Sequence, residues 1–348
     1  VKHGRDPRGN ALGLVPMKTA AARRAVWVSA GLFCAAAVLL PWCGAGTIDV
    51  RQVLQRSGPD YEILLQLRLS RTLLALIAGA GLSLAGALFQ AMLRDSLADP
   101  YTLGISAGAS LGAVITICAG WETVLGLPAT WVGSLAGAFA VLLLVLGPAL
   151  FGRGRKQLSA FTLLLTGIAI NSICAAGILI LSSFAGIVRS FSIARWLIGS
   201  VDATSYASLS VLGVVVATGG LLILSQARSW NLLAVGEQWA VSRGVRVGRL
   251  MGTGFVAGSV LVAGAIALTG PIGFVGLIVP HLVRSRISPD SRVLMPCSFF
   301  LGGTLLAVCD VLGRVVLPPA EIPAGAVLAL LGGPYLVWVI RRRAPLEA

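Results

Sequence analysis

A chain of 348 residues with 57% hydrophobic and only 11% charged side chains, at a mean hydropathy of +0.91, cannot cover a water-facing surface. A soluble globular domain is thereby excluded, and the expected fold class is an all-α polytopic membrane protein. The formal charge of +14, from 27 Lys and Arg against 13 Asp and Glu, has no soluble basic domain to present it. It therefore reads as an orientation signal across a membrane, with no nucleic-acid partner.

Residues 1–24 are expected to form an N-terminal cytoplasmic segment. Its first sixteen, polar, basic and rich in Gly and Pro, precede Met17-Lys18 and are set aside as a non-native lead-in. Apolar runs of spanning length then fall near 25–45, 70–92, 102–120, 129–151, 158–185, 204–226, 249–269, 272–284, 294–316 and 323–340. A hydrocarbon core of about 30 Å takes about 20 helical residues, so about ten transmembrane helices fit a single domain over 25–343, followed by a tail at 344–348. The first run follows Arg23-Arg24 and lacks a small-x-small cleavage pattern, which favours a membrane helix over a removed signal. The eighth, between Pro271 and Pro280, is short enough to cross only part of the bilayer or to be distorted by proline. With both termini cytoplasmic, twenty of the 27 basic residues collect inside and seven outside, as the positive-inside rule requires. A weak echo between Ala78-Gly79 with Ala85-Gly86-Ala87 and Ala257-Gly258 with Ala263-Gly264-Ala265 leaves repetition and chance recurrence of small residues equally open.

The loop 231–249, NLLAVGEQWAVSRGVRVGR, is long, polar and on the inner side. It reads as two short helices, 232–235 and 237–242, the second stopped by Arg243-Gly244. Such a knob suits docking to an ATPase; an interfacial amphipathic segment suits the spacing equally.

Chemistry is sparse. The three lysines, Lys2, Lys18 and Lys156, lie in no GxxxxGK[ST] loop, so any ATP drive must come from a partner. No catalytic set stands out. The six cysteines are scattered without a CxxC pair and read as small buried hydrophobes, with no metal site. His281 reads as a hydrogen-bonded residue at a helix end. Asp310 and Glu321 are the acidic groups near helix interiors, and the i,i+4 spacing of Asp310 and Arg314 favours a local ion pair over a proton relay. Two rivals to ATP-driven transport remain, an ion-coupled secondary transporter and a non-transporting scaffold.

The segment Arg68 to Ala109, RLSRTLLALIAGAGLSLAGALFQAMLRDSLADPYTLGISAGA, resembles the signature of FecCD-type permeases, the membrane subunits of ABC importers for iron chelates and vitamin B12. Leu232 to Glu237 with Arg243-Gly244-Val245, the run Gly270 to His281, and Pro319 to Gly325 carry the same resemblance. It implies the type II importer architecture in a bacterial cytoplasmic (inner) membrane, as a homodimer with the path at the twofold axis. Two ATPase subunits would hold ATP and Mg below, and a periplasmic or lipid-anchored binding protein would dock above; this chain would carry no cofactor. By motif position, Arg68, Arg71 and Arg314 would meet acidic residues of the binding protein. Asp95, Ser96, Leu97, Ala160 and Phe161 would form the cytoplasmic gate, and Leu232, Gly236, Glu237, Arg243, Gly244 and Val245 the ATPase coupling surface. Asp95-Ser96 departs from the family's usual Asn-Pro. The implied cargo is haem or a ferric siderophore, ahead of cobalamin.

Overall fold

The computed structural model describes residues 19–343 apart from 45, 47, 57, 125–126, 152–159 and 319. The lead-in 1–16, the basic loop around Arg153 and Lys156, and the tail 344–348 lie outside the described residues. Helix α1 (Thr19–Leu39) is followed by the short α2 (Val50–Leu54) and α3 (Pro59–Glu62), which continues through a π-helical stretch, Ile63–Leu69, into α4 (Ser70–Leu93). A 3-10 turn (Pro100–Leu103) leads to α5 (Ile105–Ala119), then the two-residue strands β1 (Thr123–Val124) and β2 (Leu127–Pro128), paired antiparallel. Next come α6 (Ala129–Phe151), α7 (Ala160–Phe184), α8 (Gly186–Ile198), α9 (Tyr206–Ser225), α10 (Ala227–Val235) and α11 (Glu237–Ser242). The last four are α12 (Val247–Thr269), α13 (Val275–Arg286), α14 (Ser291–Val315) and α15 (Ala324–Arg343).

Six described helical segments are long and apolar enough to span a bilayer: Ala20–Trp42, Pro59–Leu93, Leu164–Phe184, Tyr206–Ser225, Val247–Thr269 and Ser291–Val315. Shorter apolar helices, Ile105–Ala119, Ala129–Val145 and Ala324–Val339, join them. With α13, these match the ten apolar runs one to one.

Two runs are only partly helical. α5 begins at Ile105 because residues 95–104 return as turns, and Pro100 lies against α13 at Gly276, whose added Cβ would sit 3.0 Å from the proline ring. α13 begins at Val275 after Phe274, which holds a left-handed φ of 71°. That conformation is costly for a bulky residue. Irregular backbone at membrane depth is tolerated only where protein surrounds it.

The core is built around α4. Every residue of α4 except Arg71, Leu73 and Ile77 is buried, so it is the axial helix, packed by α14, α12, α13 and α9. Glycine makes this closeness possible. A Cβ at Gly86 would lie 1.9 Å from the Gly276 carbonyl oxygen of α13, and one at Gly79 would lie 2.6 Å from that of Gly302 in α14. α5 and α6 meet through Gly108, Gly112, Gly133 and Gly137, two glycine pairs at four-residue spacing; a Cβ at Gly112 would fall 1.9 Å from Gly133 O. Lipid tails supply no hydrophobic drive for helix association, so backbone proximity at small residues is what holds such a pair. Gly79, Gly86 and Gly258 all sit at crossings.

α13 carries a proline, Pro280, which cannot donate to the carbonyl of Gly276 one turn earlier. Gln90, fully buried on α4, supplies the missing donor: its Nε2 lies 3.4 Å from both Gly276 O and Leu277 O. Arg284 in turn donates through Nη2 to Gln90 Oε1 at 3.4 Å.

Candidate functional site

Two groups of polar residues lie at opposite ends of α4. At its first turn, Arg71 donates through Nε to Asp310 Oδ1 (3.0 Å) and through Nη1 to Glu321 Oε2 (2.9 Å). Arg314 approaches Asp310 Oδ2 with Nη2 at 3.1 Å, an ion contact outside hydrogen-bond alignment. The expected Arg314–Asp310 pair is therefore present, but as half of a four-residue network that joins α4, α14 and the loop before α15. Asp310 is 2% exposed, Arg314 8% and Arg71 13%, whereas Glu321 is 59% exposed. Two positive and two negative charges balance here. Arg68 stands apart: its Nη2 donates to Gly46 O (2.7 Å) and its Nη1 to Trp42 O (3.4 Å), tying the loop after α1 to the helix that leads into α4. Among the described residues no carboxylate lies within ion-pair distance of Arg68. The three arginines named from the motif thus divide, two within the chain's own network and one with its charge unneutralised.

At the other end of α4, Trp230 of α10 is fully buried, donating through Nε1 to Ile223 O at 3.1 Å. It closes on Gly254 of α12, where a Cβ would lie 2.4 Å from the indole and 3.1 Å from the Met92 sulfur. This anchor starts α10 at Ala227, five residues before the expected 232. The second helix, α11, has the expected bounds. It stops because Gly244 takes a φ of 81° while its N–H reaches Val241 O (2.9 Å) and Val245 N reaches Ala240 O (3.0 Å). Ala240 and Leu233 face inward; Val235, Trp239, Val241 and Arg243 face out. The Arg243 guanidinium stacks 5.0 Å from the centre of the Trp239 ring. Sequence reasoning passes over Trp239, although a tryptophan inside a polar loop is a usable signal.

The residues expected to form the gate lie in two places. Asp95, Ser96 and Leu97 form a turn after Arg94 ends α4 in a left-handed conformation (φ 55°). Asp95 closes the turn itself, its Oδ1 accepting from Leu97 N (2.9 Å) and its carbonyl from Ala98 N (3.2 Å). This is an Asx turn, which Asn would make equally well, so the departure from the family pattern keeps the local geometry at this position. Ala160 and Phe161 open α7; their side chains lie outside those described. α7 meets the chain after the turn through Asn171, whose Nδ2 donates to Tyr101 O at 3.0 Å. His281 is buried edge-on to Tyr335, with ring centres 6.1 Å apart. Of the six cysteines, Cys174, Cys297 and Cys309 are buried as expected, while Cys34 and Cys43 are exposed.

The sequence profile described as the FecCD transport family matches residues 31–342. This chain belongs to the FecCD family. The FecCD permease is 37% identical over 306 residues to the hemin transport system permease protein HmuU of Yersinia pestis, covering 86% of this chain and 90% of the relative. It is 34% identical over 319 residues to the Fe(3+) dicitrate transport system permease protein FecC of Escherichia coli (strain K12), covering 91% and 93%. The cobalamin import system permease protein BtuC of Halobacterium salinarum is 35% identical over 311 residues, covering 87% and 80%. A solved inward-facing metal-chelate type ABC transporter superposes with a TM-score of 0.79 at 28% identity, covering 93% of this chain and 100% of that one. The FecCD permease is thus an integral membrane subunit that works within an ABC importer.

Proposed function

We propose that this permease carries an iron chelate or tetrapyrrole inward across the bacterial inner membrane, as one of two copies around a shared path, with both termini cytoplasmic. The relatives for hemin, ferric dicitrate and cobalamin support that cargo class. One observation carries the reading. Arg71 and Met92 mark the two ends of α4, and 21 residues at 1.5 Å each set them about 30 Å apart, the thickness of a hydrocarbon core. A cluster of arginines at one end and an exposed helical knob at the other are the two faces that an importer must offer, to a binding protein outside and an ATPase inside.

The knob, α10 and α11 with Trp239, Glu237 and Arg243, is the ATPase contact in this reading. ATP and Mg belong to the two ATPase subunits, since the chain has no phosphate-cradling loop of its own. Closure of the ATPase dimer shifts the permease between outward- and inward-open states, and ATP energy enters as that population shift. Asp95, Ser96, Leu97, Ala160 and Phe161 serve as the inner gate. Ile187, Val188 and Phe191, an exposed apolar stripe on α8, together with Phe184 exposed at the end of α7, suit the face toward the second copy. Asp310, the carboxylate that an ion-coupled carrier could have used, is already held by Arg71 and Arg314.

The decisive experiment pairs uptake with ATP hydrolysis in proteoliposomes. Arg243→Glu with Trp239→Ala should lower uptake at least tenfold while leaving ATP hydrolysis by the ATPase measurable. Uptake that stays coupled would overturn the docking assignment. Absorbance of the ligand on the co-purified binding protein distinguishes a tetrapyrrole Soret band from a corrin or ferric-siderophore spectrum.

A further inference from the structure

We propose that Glu321 is an internal competitor for docking: it occupies Arg71 in the resting permease and is displaced when a carboxylate of the binding protein arrives. The inference rests on the docking reading above and adds a residue and a mechanism to it. Arg71 is not a waiting charge, because Asp310 and Glu321 already neutralise it from two sides. The two partners differ in kind. Asp310 is 2% exposed, is shared with Arg314, and cannot leave without stranding the buried Arg314 guanidinium. Glu321 is 59% exposed and is held to the network by one contact, at 2.9 Å.

The backbone next to Glu321 is fixed independently, by Ile322 N donating to Gly313 O at 3.0 Å, so the side chain can swing without unfolding the loop. Replacing Glu321 by an incoming carboxylate conserves the charge balance, two positive against two negative, throughout. Docking on Arg71 is therefore an exchange, whereas docking on Arg68, bound to two carbonyl oxygens, adds a new ion pair. An exchange contributes orientation and reversibility, and little net affinity.

The test uses the intact permease–ATPase complex in nanodiscs and, as probe, the binding protein that the wild-type complex retains on purification, titrated at low ionic strength. An exposed ion pair contributes about 0.2 to 1 kcal/mol, so Glu321→Gln should tighten binding about 1.4- to fivefold. The same substitution made in an Arg71→Gln background should then give no gain. Arg68→Glu is the control for the docking reading and should weaken binding. Unchanged or weaker binding by Glu321→Gln, with Arg68→Glu still weakening, overturns the exchange and leaves docking intact. A Glu321→Gln gain that persists in the Arg71→Gln background also overturns it, because it would reflect long-range charge and not Arg71. Binding indifferent to Arg68→Glu overturns the docking reading itself.

Discussion

Gln90 shows how much of this fold depends on single polar groups placed in an apolar interior. It lies on the axial helix α4 without solvent access and hands a donor to the stretch of α13 that Pro280 deprives of one. A buried acceptor left unmatched costs about 1–3 kcal/mol. Gln90→Leu, similar in size but without a donor, should lower the thermal unfolding midpoint of the detergent-solubilised protein by that equivalent; Gln90→Met should do the same, since shape is preserved and only the hydrogen bonds go. The same residue-scale view explains why the arginines had to be divided. Spacing in the sequence exposed the i,i+4 relation of Asp310 and Arg314, but Arg71 and Glu321 are 250 positions apart and their pairing is created only when α14 packs on α4.

Among elements, the helix crossings are decided by hydrogen atoms where side chains would otherwise stand. At the α5–α6 pair, Gly112→Val would push carbon into the Gly133 carbonyl, and overpacking of this kind costs about 1–3 kcal/mol or more. The expected result is a fall in the monodisperse fraction on size-exclusion chromatography after mild heating. Gly252→Ala, on α12 with nothing within 4 Å of its added Cβ, is the matching control. It should be neutral or stabilising by up to about 1 kcal/mol, because a helix interior prefers alanine. The ten helical segments were legible because bilayer thickness forces long apolar runs, whatever else a sequence does. The starts of α5 and α13 were not, since Thr102-Leu103-Gly104 and Ile272-Gly273-Phe274 carry no charge that would end the apolar run, although they lie before the α-helices begin. Nor was the start of α10: Trp230 is anchored by Gly254, which arrives from α12 only in three dimensions. Helix α11 was readable to the residue because its stop signal, Arg243-Gly244, is local.

For the whole molecule, the energy source separates the remaining readings. Proteoliposomes holding the assembled complex, with ATP on the ATPase side and binding protein on the other, should accumulate cargo. A proton or sodium gradient without ATP should not; accumulation under that condition would identify ion coupling. The family motifs made the overall assignment readable, since Arg68 to Ala109 and Gly270 to His281 place charged, glycine-rich and proline-bearing stretches in one order across the chain. Substrate identity was not legible, because no cluster of ligand-specific side chains marks the sequence. The burial of α4 has a further consequence for how such a permease can change over generations. A helix that touches neighbours on every side has no free face on which drift can be absorbed, so nearly every substitution along it must be answered by another on α12, α13 or α14. Diversification should therefore accumulate on α1 and α9, whose outward sides are little packed within the chain, while the axial helix changes slowly and in concert with its partners.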